Sequence, residues 1–127
     1  MIPSARTAYM DASVQTASPA KLLVMLYERL VLDVQRALEA QQAGDHLVAH
    51  AQLVHAQDIV IELRSTLKTD AWDGGPALAS LYDYLLSRLV SANVKRDAEL
   101  TRHCLELVTG LAETWREAAL QTLAVGA

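Results

Sequence analysis

Apolar residues recur along this chain at three- and four-residue steps, the spacing of amphipathic helices, and strand-like alternation is absent. Capping and turn residues divide this pattern into four segments. We expect helices from Pro19 to about Ala43, from an Asp45 cap to about Lys68, from Pro76 to about Asn93, and from an Asp97 cap to about Leu123. Because the connections are short, sequential helices should be antiparallel neighbours. The pattern therefore predicts an all-α fold, an antiparallel up-down four-helix bundle.

Each expected helix carries one apolar stripe that can fill the bundle core. The predicted core residues are Leu23, Leu26, Leu30, Val34 and Ala37 in the first helix; Ala49, Leu53, Ala56, Val60, Leu63 and Leu67 in the second; Leu78, Leu81, Tyr82, Leu85, Leu89 and Ala92 in the third; and Leu100, Cys104, Leu107, Leu111, Trp115 and Ala118 in the fourth.

Further apolar residues lie off these stripes. Leu47, Val54 and Ile61 follow one another at seven-residue steps in the second helix. They lie about 160° around that helix from its core stripe. Leu86 and Val90 flank the core stripe of the third helix. These residues are either scattered surface apolars on a helix with a wide core face, or the wall of a groove for partner helices.

The first expected helix begins with a Ser18 cap and Pro19, and six consecutive apolar residues follow at positions 22–27. Such a run covers most of the helix circumference. The helix should therefore be central in the bundle, or meet a partner that is not always present.

Residues 1–17 form a separate lead segment, and residues 18–124 form the bundle domain. The lead segment contains apolar residues, among them Ile2, Tyr9, Met10 and Val14, but is too short for a bundle helix. It is either an N-terminal cap folded over a groove or a disordered tail.

Composition excludes several classes of protein. The 127 residues suffice for one domain, and 52% of them are apolar. The net charge is −4 and the basic residues are dispersed, so we expect no nucleic-acid binding. No apolar run approaches the ~20 residues of a membrane span, and no signal peptide is visible, so we expect a cytoplasmic protein without membrane insertion.

Candidate catalytic and metal-binding residues are few. His46 and His50 are four residues apart, but no third metal ligand has suitable spacing. Cys104 is the only cysteine and lies on the fourth core stripe, where it should be a small buried hydrophobe. We therefore expect no metal, no cofactor and no enzymatic activity.

Four groups of residues, in order along the chain, resemble the flagellar secretion chaperone family FliS. The groups are Tyr9, Val14, Thr16-Ala17-Ser18-Pro19, Leu22-Leu23 and Met25-Leu26-Tyr27; Ala56-Gln57-Asp58-Ile59, Glu62-Leu63 and Thr66-Leu67; Leu81-Tyr82-Asp83-Tyr84, Arg88-Leu89 and Ala92-Asn93; and Leu111 with Trp115. The chain departs from the family pattern at Glu28-Arg29, where the family usually has Asp-Gly.

The resemblance implies a cytoplasmic helical bundle that binds the disordered C-terminal segment of flagellin, prevents its premature polymerisation and delivers it to the cytoplasmic domain of the flagellar export gate. Some members also bind an anti-sigma factor or another flagellar regulator. The lead segment would be a cap that moves as flagellin binds. The alternative is a helical adaptor that oligomerises through the same apolar surface without chaperone activity.

Motifs and outlying stripes together predict two sets of site residues. The partner-binding set is Leu47, Val54, Asp58, Ile61, Tyr82, Leu86, Arg88, Leu89, Val90 and Asn93, and the cap set is Tyr9, Met10, Val14 and Thr16. Arg88 and Asn93 could fix the register of a bound segment through hydrogen bonds. Arg88 could instead pair within its own helix, with Tyr84 or Asp83.

Overall fold

The computed structural model describes residues 18–71 and 73–126, with side chains described as far as residue 121. Four helices follow one another within these residues: α1 Pro19–Gln42, α2 His46–Thr66, α3 Gly75–Val94 and α4 Ala98–Gly126. The described residues contain no strand. The predicted all-α bundle is confirmed, and the helix ends differ from expectation by at most a few residues.

Local capping residues set the helix starts. The Ser18 hydroxyl accepts a hydrogen bond from the Lys21 amide at 3.2 Å, with Pro19 in the first turn. Asp45 accepts from the Val48 amide at 3.3 Å and so caps α2. Each cap satisfies an amide that has no partner within its helix. These interactions need only neighbouring residues, which is why the sequence predicted them.

The four helices are arranged so that each packs against its neighbours in the sequence, and α4 closes the bundle against α1. Among the four neighbouring pairs, α1 and α4 pack most extensively and α3 and α4 least extensively. The face between α2 and α3 is therefore opposite the face between α1 and α4. Leu30, Val34, Leu53, Val60, Leu85 and Leu89 are among the fully buried core residues.

The predicted core stripe of α4 is partly wrong. Val108 and Ala112 fill the core, whereas Leu107 and Leu111 are only partly buried and Ala118 is exposed. The helix is turned towards α1, its most extensive neighbour, and this rotation brings smaller side chains to the centre. Periodicity identified the apolar arc of α4 but not the residue at its middle.

Two polar contacts lie inside the bundle. The Asp33 carboxylate is fully buried and accepts hydrogen bonds from Arg29 Nε at 3.1 Å and from the His55 ring on α2. The hydroxyls of Tyr27 and Tyr82 hydrogen-bond each other between α1 and α3. The Asp33–His55 and Tyr27–Tyr82 contacts join different helices, so they fix how the helices are rotated against one another.

Candidate partner-binding surface

The seven-residue stripe of α2 is exposed, as its spacing suggested. Leu47, Val54 and Ile61 retain 85%, 37% and 50% of their accessible surface. Large apolar side chains on a regular spacing and open to solvent form a surface available to another molecule.

A matching apolar row lies on α3. Val90 and Val94 are 41% and 77% exposed, and Leu86 is partly buried against the core. These three residues follow at steps of four, so they lie along one side of the helix. Val94 was absent from the predicted partner-binding residues. The step from Val90 to Val94 was the signal that could have identified it.

Two polar contacts join α2 to α3 and set the register of the two rows. His50 meets the Asn93 amide at 3.0–3.2 Å near one end. Arg64 Nε donates to Asp83 at 3.1 Å near the other end. Helical spacing then places the apolar rows of the two helices on the outer side of this antiparallel pair. We name this surface, consisting of Leu47, Val54, Ile61, Leu86, Val90 and Val94, the α2–α3 strip.

Two of the predicted partner-binding residues belong to the core and do not lie on the surface. Leu89 is fully buried, and Tyr82 is 2% exposed with its hydroxyl against Tyr27. Tyr82 also lines a recess of about 270 Å³ at the end of the bundle, together with Leu23 and Trp115. Leu89 and Tyr82 are buried because they lie on the core stripe of α3, where they face the helices across the bundle.

Arg88 lies on a different side of α3 from the α2–α3 strip. Two residues apart on a helix, Arg88 and Val90 project about 200° from each other. The Arg88 guanidinium lies 5.8 Å from the centre of the Tyr84 ring, and the Tyr84 hydroxyl meets His103 of α4 at 3.0 Å. Of the two roles considered for Arg88, the structure shows the contact with Tyr84 in its own helix.

The other polar site residues remain near the strip. Asp58 is exposed on α2. Asn93 is partly buried and bonded to His50. Asp83 pairs with Arg64 rather than with Arg88. The cap residues Tyr9, Met10, Val14 and Thr16 lie outside the described residues.

Glu28 and Arg29, where the resemblance leads us to expect Asp-Gly, each form an ion pair. Arg29 pairs with Asp33, four residues along α1. Glu28 accepts from Arg116 of α4 at 3.2 Å. Both side chains therefore support the α1 side of the bundle, away from the α2–α3 strip.

The described residues show little sign of reactive chemistry. Burial raises the pKa of the Cys104 thiol to about 11, which keeps this core residue protonated at neutral pH. Within the described part of the chain, no three metal-ligating side chains come together. In the same part, no helix is long and apolar enough to cross a membrane.

Comparison with known proteins agrees with this architecture. The family model described as "Flagellar protein FliS" matches residues 1–122. The flagellar secretion chaperone FliS of Bacillus subtilis is 33% identical over 112 residues, covering 88% of this chain and 84% of its own length. The Vibrio cholerae protein of the same name is 31% identical over 108 residues, covering 83% and 78%.

A crystal structure of a bacterial flagellar chaperone has the same fold. It superposes with a TM-score of 0.74 at 21% identity and covers 92% of this chain and 96% of its own. Sequence and fold similarity therefore extend over nearly the whole chain.

Proposed function

Because this chain belongs to the FliS family of flagellar secretion chaperones, we propose that its cargo is flagellin. The chaperone binds the disordered C-terminal segment of flagellin on the α2–α3 strip. Holding that segment prevents premature polymerisation in the cytoplasm. The complex is then delivered to the cytoplasmic domain of the flagellar export gate.

The observation that carries this proposal is the exposed apolar strip. Leu47, Val54 and Ile61 on α2 and the row on α3 provide two parallel lines of apolar contact. A segment that folds on binding loses conformational entropy and needs extensive apolar burial to offset that loss. An amphipathic helix laid along the strip obtains this burial without any catalytic group.

Three further elements belong to the proposal. Residues 1–17 cover part of the strip in the free chaperone and move away as flagellin binds. An anti-sigma factor or another flagellar regulator is a second class of partner. The protein acts by binding and not as an enzyme.

Ile61→Asp tests the strip. A charge within an apolar interface loses its hydration on binding, so we expect the affinity for a flagellin C-terminal segment to fall about tenfold or more. The fold should survive, because Ile61 is half exposed and surface substitutions change stability by only about 0.5 kcal/mol. Calorimetric titration gives the affinity, and thermal unfolding by circular dichroism gives the stability.

Leu120→Asp is the matched control, because Leu120 is 61% exposed but lies on α4. It should leave the affinity unchanged. Equal loss in both variants would show that binding does not depend on the strip. Sedimentation with and without the flagellin segment separates the chaperone from the oligomerising adaptor, since an oligomer that ignores the segment would contradict the proposal.

A further inference from the structure

One end of the α2–α3 strip opens into a recess of about 270 Å³, where α2 begins and α3 ends. This is far more than the share of one water molecule in the liquid, about 30 Å³. Leu47 and Val94, the last residues of the strip, form part of its wall. Gln41, His50, Asn93 and Arg96 supply its polar groups. A chain lying along the strip therefore reaches a recess with hydrogen-bonding capacity at its end.

The Gln41 side chain lines this recess and carries an unused acceptor, which is closed off from water in the free chain. Its Nε2 donates to the Ala92 carbonyl at 3.2 Å, which fixes the orientation of the amide, because the reversed amide would bring two oxygens together. Its Oε1 is buried and accepts no hydrogen bond from any residue that the structure describes. Buried acceptors are nearly always paired, so this oxygen is suited to an N–H group of a ligand.

The charged and titratable lining of the recess is basic. Arg96 stands in the α3–α4 turn with a φ of 51°, and it forms no ion pair within the described part of the chain. The Nδ1 atom of His50 contacts Asn93, which leaves Nε2 available to a ligand.

No carboxylate lines the recess, and the acidic residues close to it in sequence are already engaged. Asp45 caps α2 through the Val48 amide, and Asp97 caps α4 through the amides of Glu99 and Leu100. The recess lies at the ends of α1 and α3 and at the start of α2, and α4 begins just beyond Arg96, so the positive and negative ends of the helix dipoles offset each other here. Arg96, the charged side chain of the lining, therefore decides the charge preference. That preference is for an anion.

We propose that this recess binds the C-terminal residue of a polypeptide. The terminal carboxylate pairs with Arg96 and the His50 ring, and an apolar side chain packs against Leu47 and Val94. A small shift of the Gln41 side chain lets its Oε1 accept a hydrogen bond from the N–H of the same terminal residue. Capture of a free chain terminus is an established mode of peptide recognition, although elsewhere backbone N–H groups hold the carboxylate; here charge-assisted contacts from side chains take that role. As far as the partner is concerned, the inference rests on the proposed function: a flagellin C-terminal segment that lies on the strip with its terminus towards Leu47 and Val94 would end in this recess.

A small probe tests the recess independently of flagellin. N-acetyl-L-leucine carries the N–H, the carboxylate and the apolar side chain, whereas N-acetyl-L-leucinamide lacks only the charge. In ¹H–¹⁵N NMR titrations of the full chain, the acid should shift the Gln41 side-chain amide and the Arg96 backbone amide. The amide should bind about tenfold more weakly, because a charge-assisted pair is lost. Equal binding of both probes, or no shift at Gln41, would overturn the proposal.

Arg96→Asn removes the charge while keeping a residue that tolerates positive φ. It should abolish the preference for the acid. Arg102→Asn is the matched control, because Arg102 is an exposed arginine of α4 paired with Glu99 outside the recess. A preference that survives Arg96→Asn, or that is lost equally in the control, would contradict the assignment.

The partner is tested with flagellin C-terminal segments that carry a free or an amidated C-terminus. Amidation should weaken binding about tenfold, for the same reason as in the probe. Tight but equal binding of the two segments would refute the recess as the site of the flagellin terminus and leave the strip proposal intact. Failure of both segments to bind would refute the flagellin proposal, while the probe titration still decides whether the recess takes a chain terminus.

Discussion

The hydrogen bond between Tyr27 and Tyr82 should make these two residues strongly interdependent. Tyr27 is fully buried on α1 and Tyr82 is 2% exposed on α3, and their hydroxyls contact each other. The pKa of the Tyr27 hydroxyl is raised, first by burial and then by Tyr82, as expected for a phenol held away from water. We predict the outcome of replacing each tyrosine, and then both, by phenylalanine.

The loss of stability in each single variant depends on whether the remaining tyrosine hydroxyl still has a hydrogen-bond partner. Tyr82→Phe removes one hydroxyl, but Tyr27 keeps a contact with the Trp115 side chain, so the cost should lie near the low end of about 1–3 kcal/mol. Tyr27→Phe leaves the buried Tyr82 hydroxyl without another hydrogen-bond partner among the described residues and should cost more within that range. The double variant leaves neither hydroxyl unpaired, so its cost should not exceed that of Tyr27→Phe alone.

The assay is urea unfolding followed by tryptophan fluorescence. Trp115 stacks on Tyr27 with ring centres 6.3 Å apart, so its emission reports on this part of the core. A Trp72→Phe background leaves Trp115 as the only tryptophan. Four unfolding curves give the double-mutant cycle, and the expected coupling free energy is about 1–2 kcal/mol. Equal m-values across the four proteins would show that the unfolding reaction is unchanged.

Additive costs would refute this reasoning, because they would mean that the two hydroxyls do not satisfy each other. A stabilising Tyr27→Phe would refute it as well, since the remaining Tyr82 hydroxyl would then have found another partner at no cost.

Three further predictions address other parts of the molecule. Folding raises the pKa of Cys104 and of the two buried tyrosines, so the folded chain keeps protons that the unfolded chain releases. The free energy of unfolding should therefore fall as the pH rises above about 9–10, and denaturant midpoints measured across this range should show the fall. A flat profile would contradict the assigned burial. Gly75→Ala should cost about 1–3 kcal/mol, because its Cβ would lie 2.3 Å from the backbone oxygen of Thr69; an unchanged thermal midpoint would show that this turn relaxes freely. Deleting residues 1–14 should increase apolar dye binding and leave flagellin affinity at least as high, whereas lost binding would make the segment a direct part of the site.

Local interactions allowed the sequence to determine the helices and the surface stripe of α2. Ser18, Asp45 and Asp97 cap the amides of residues two or three positions further on, so their role is visible without any knowledge of the fold. The seven-residue spacing of Leu47, Val54 and Ile61 likewise places them on one side of a helix, and the structure exposes all three. The family resemblance was carried by residues in these same helices and in the segment before them.

Tertiary structure alone decided how each helix is rotated. The apolar residues of α4 cover a wide arc of the helix, and the sequence does not say which of them points into the core. Packing against α1 directs Val108 into the core and leaves Leu107 only partly buried. Tyr82 was predicted both as a core residue and, from the family motif, as a partner contact; the structure buries it and pairs it with Tyr27 across the bundle, 55 residues away in sequence. The recess at Gln41 brings together side chains from three helices and a turn. No local pattern specifies such contacts, because they depend on how separate helices meet.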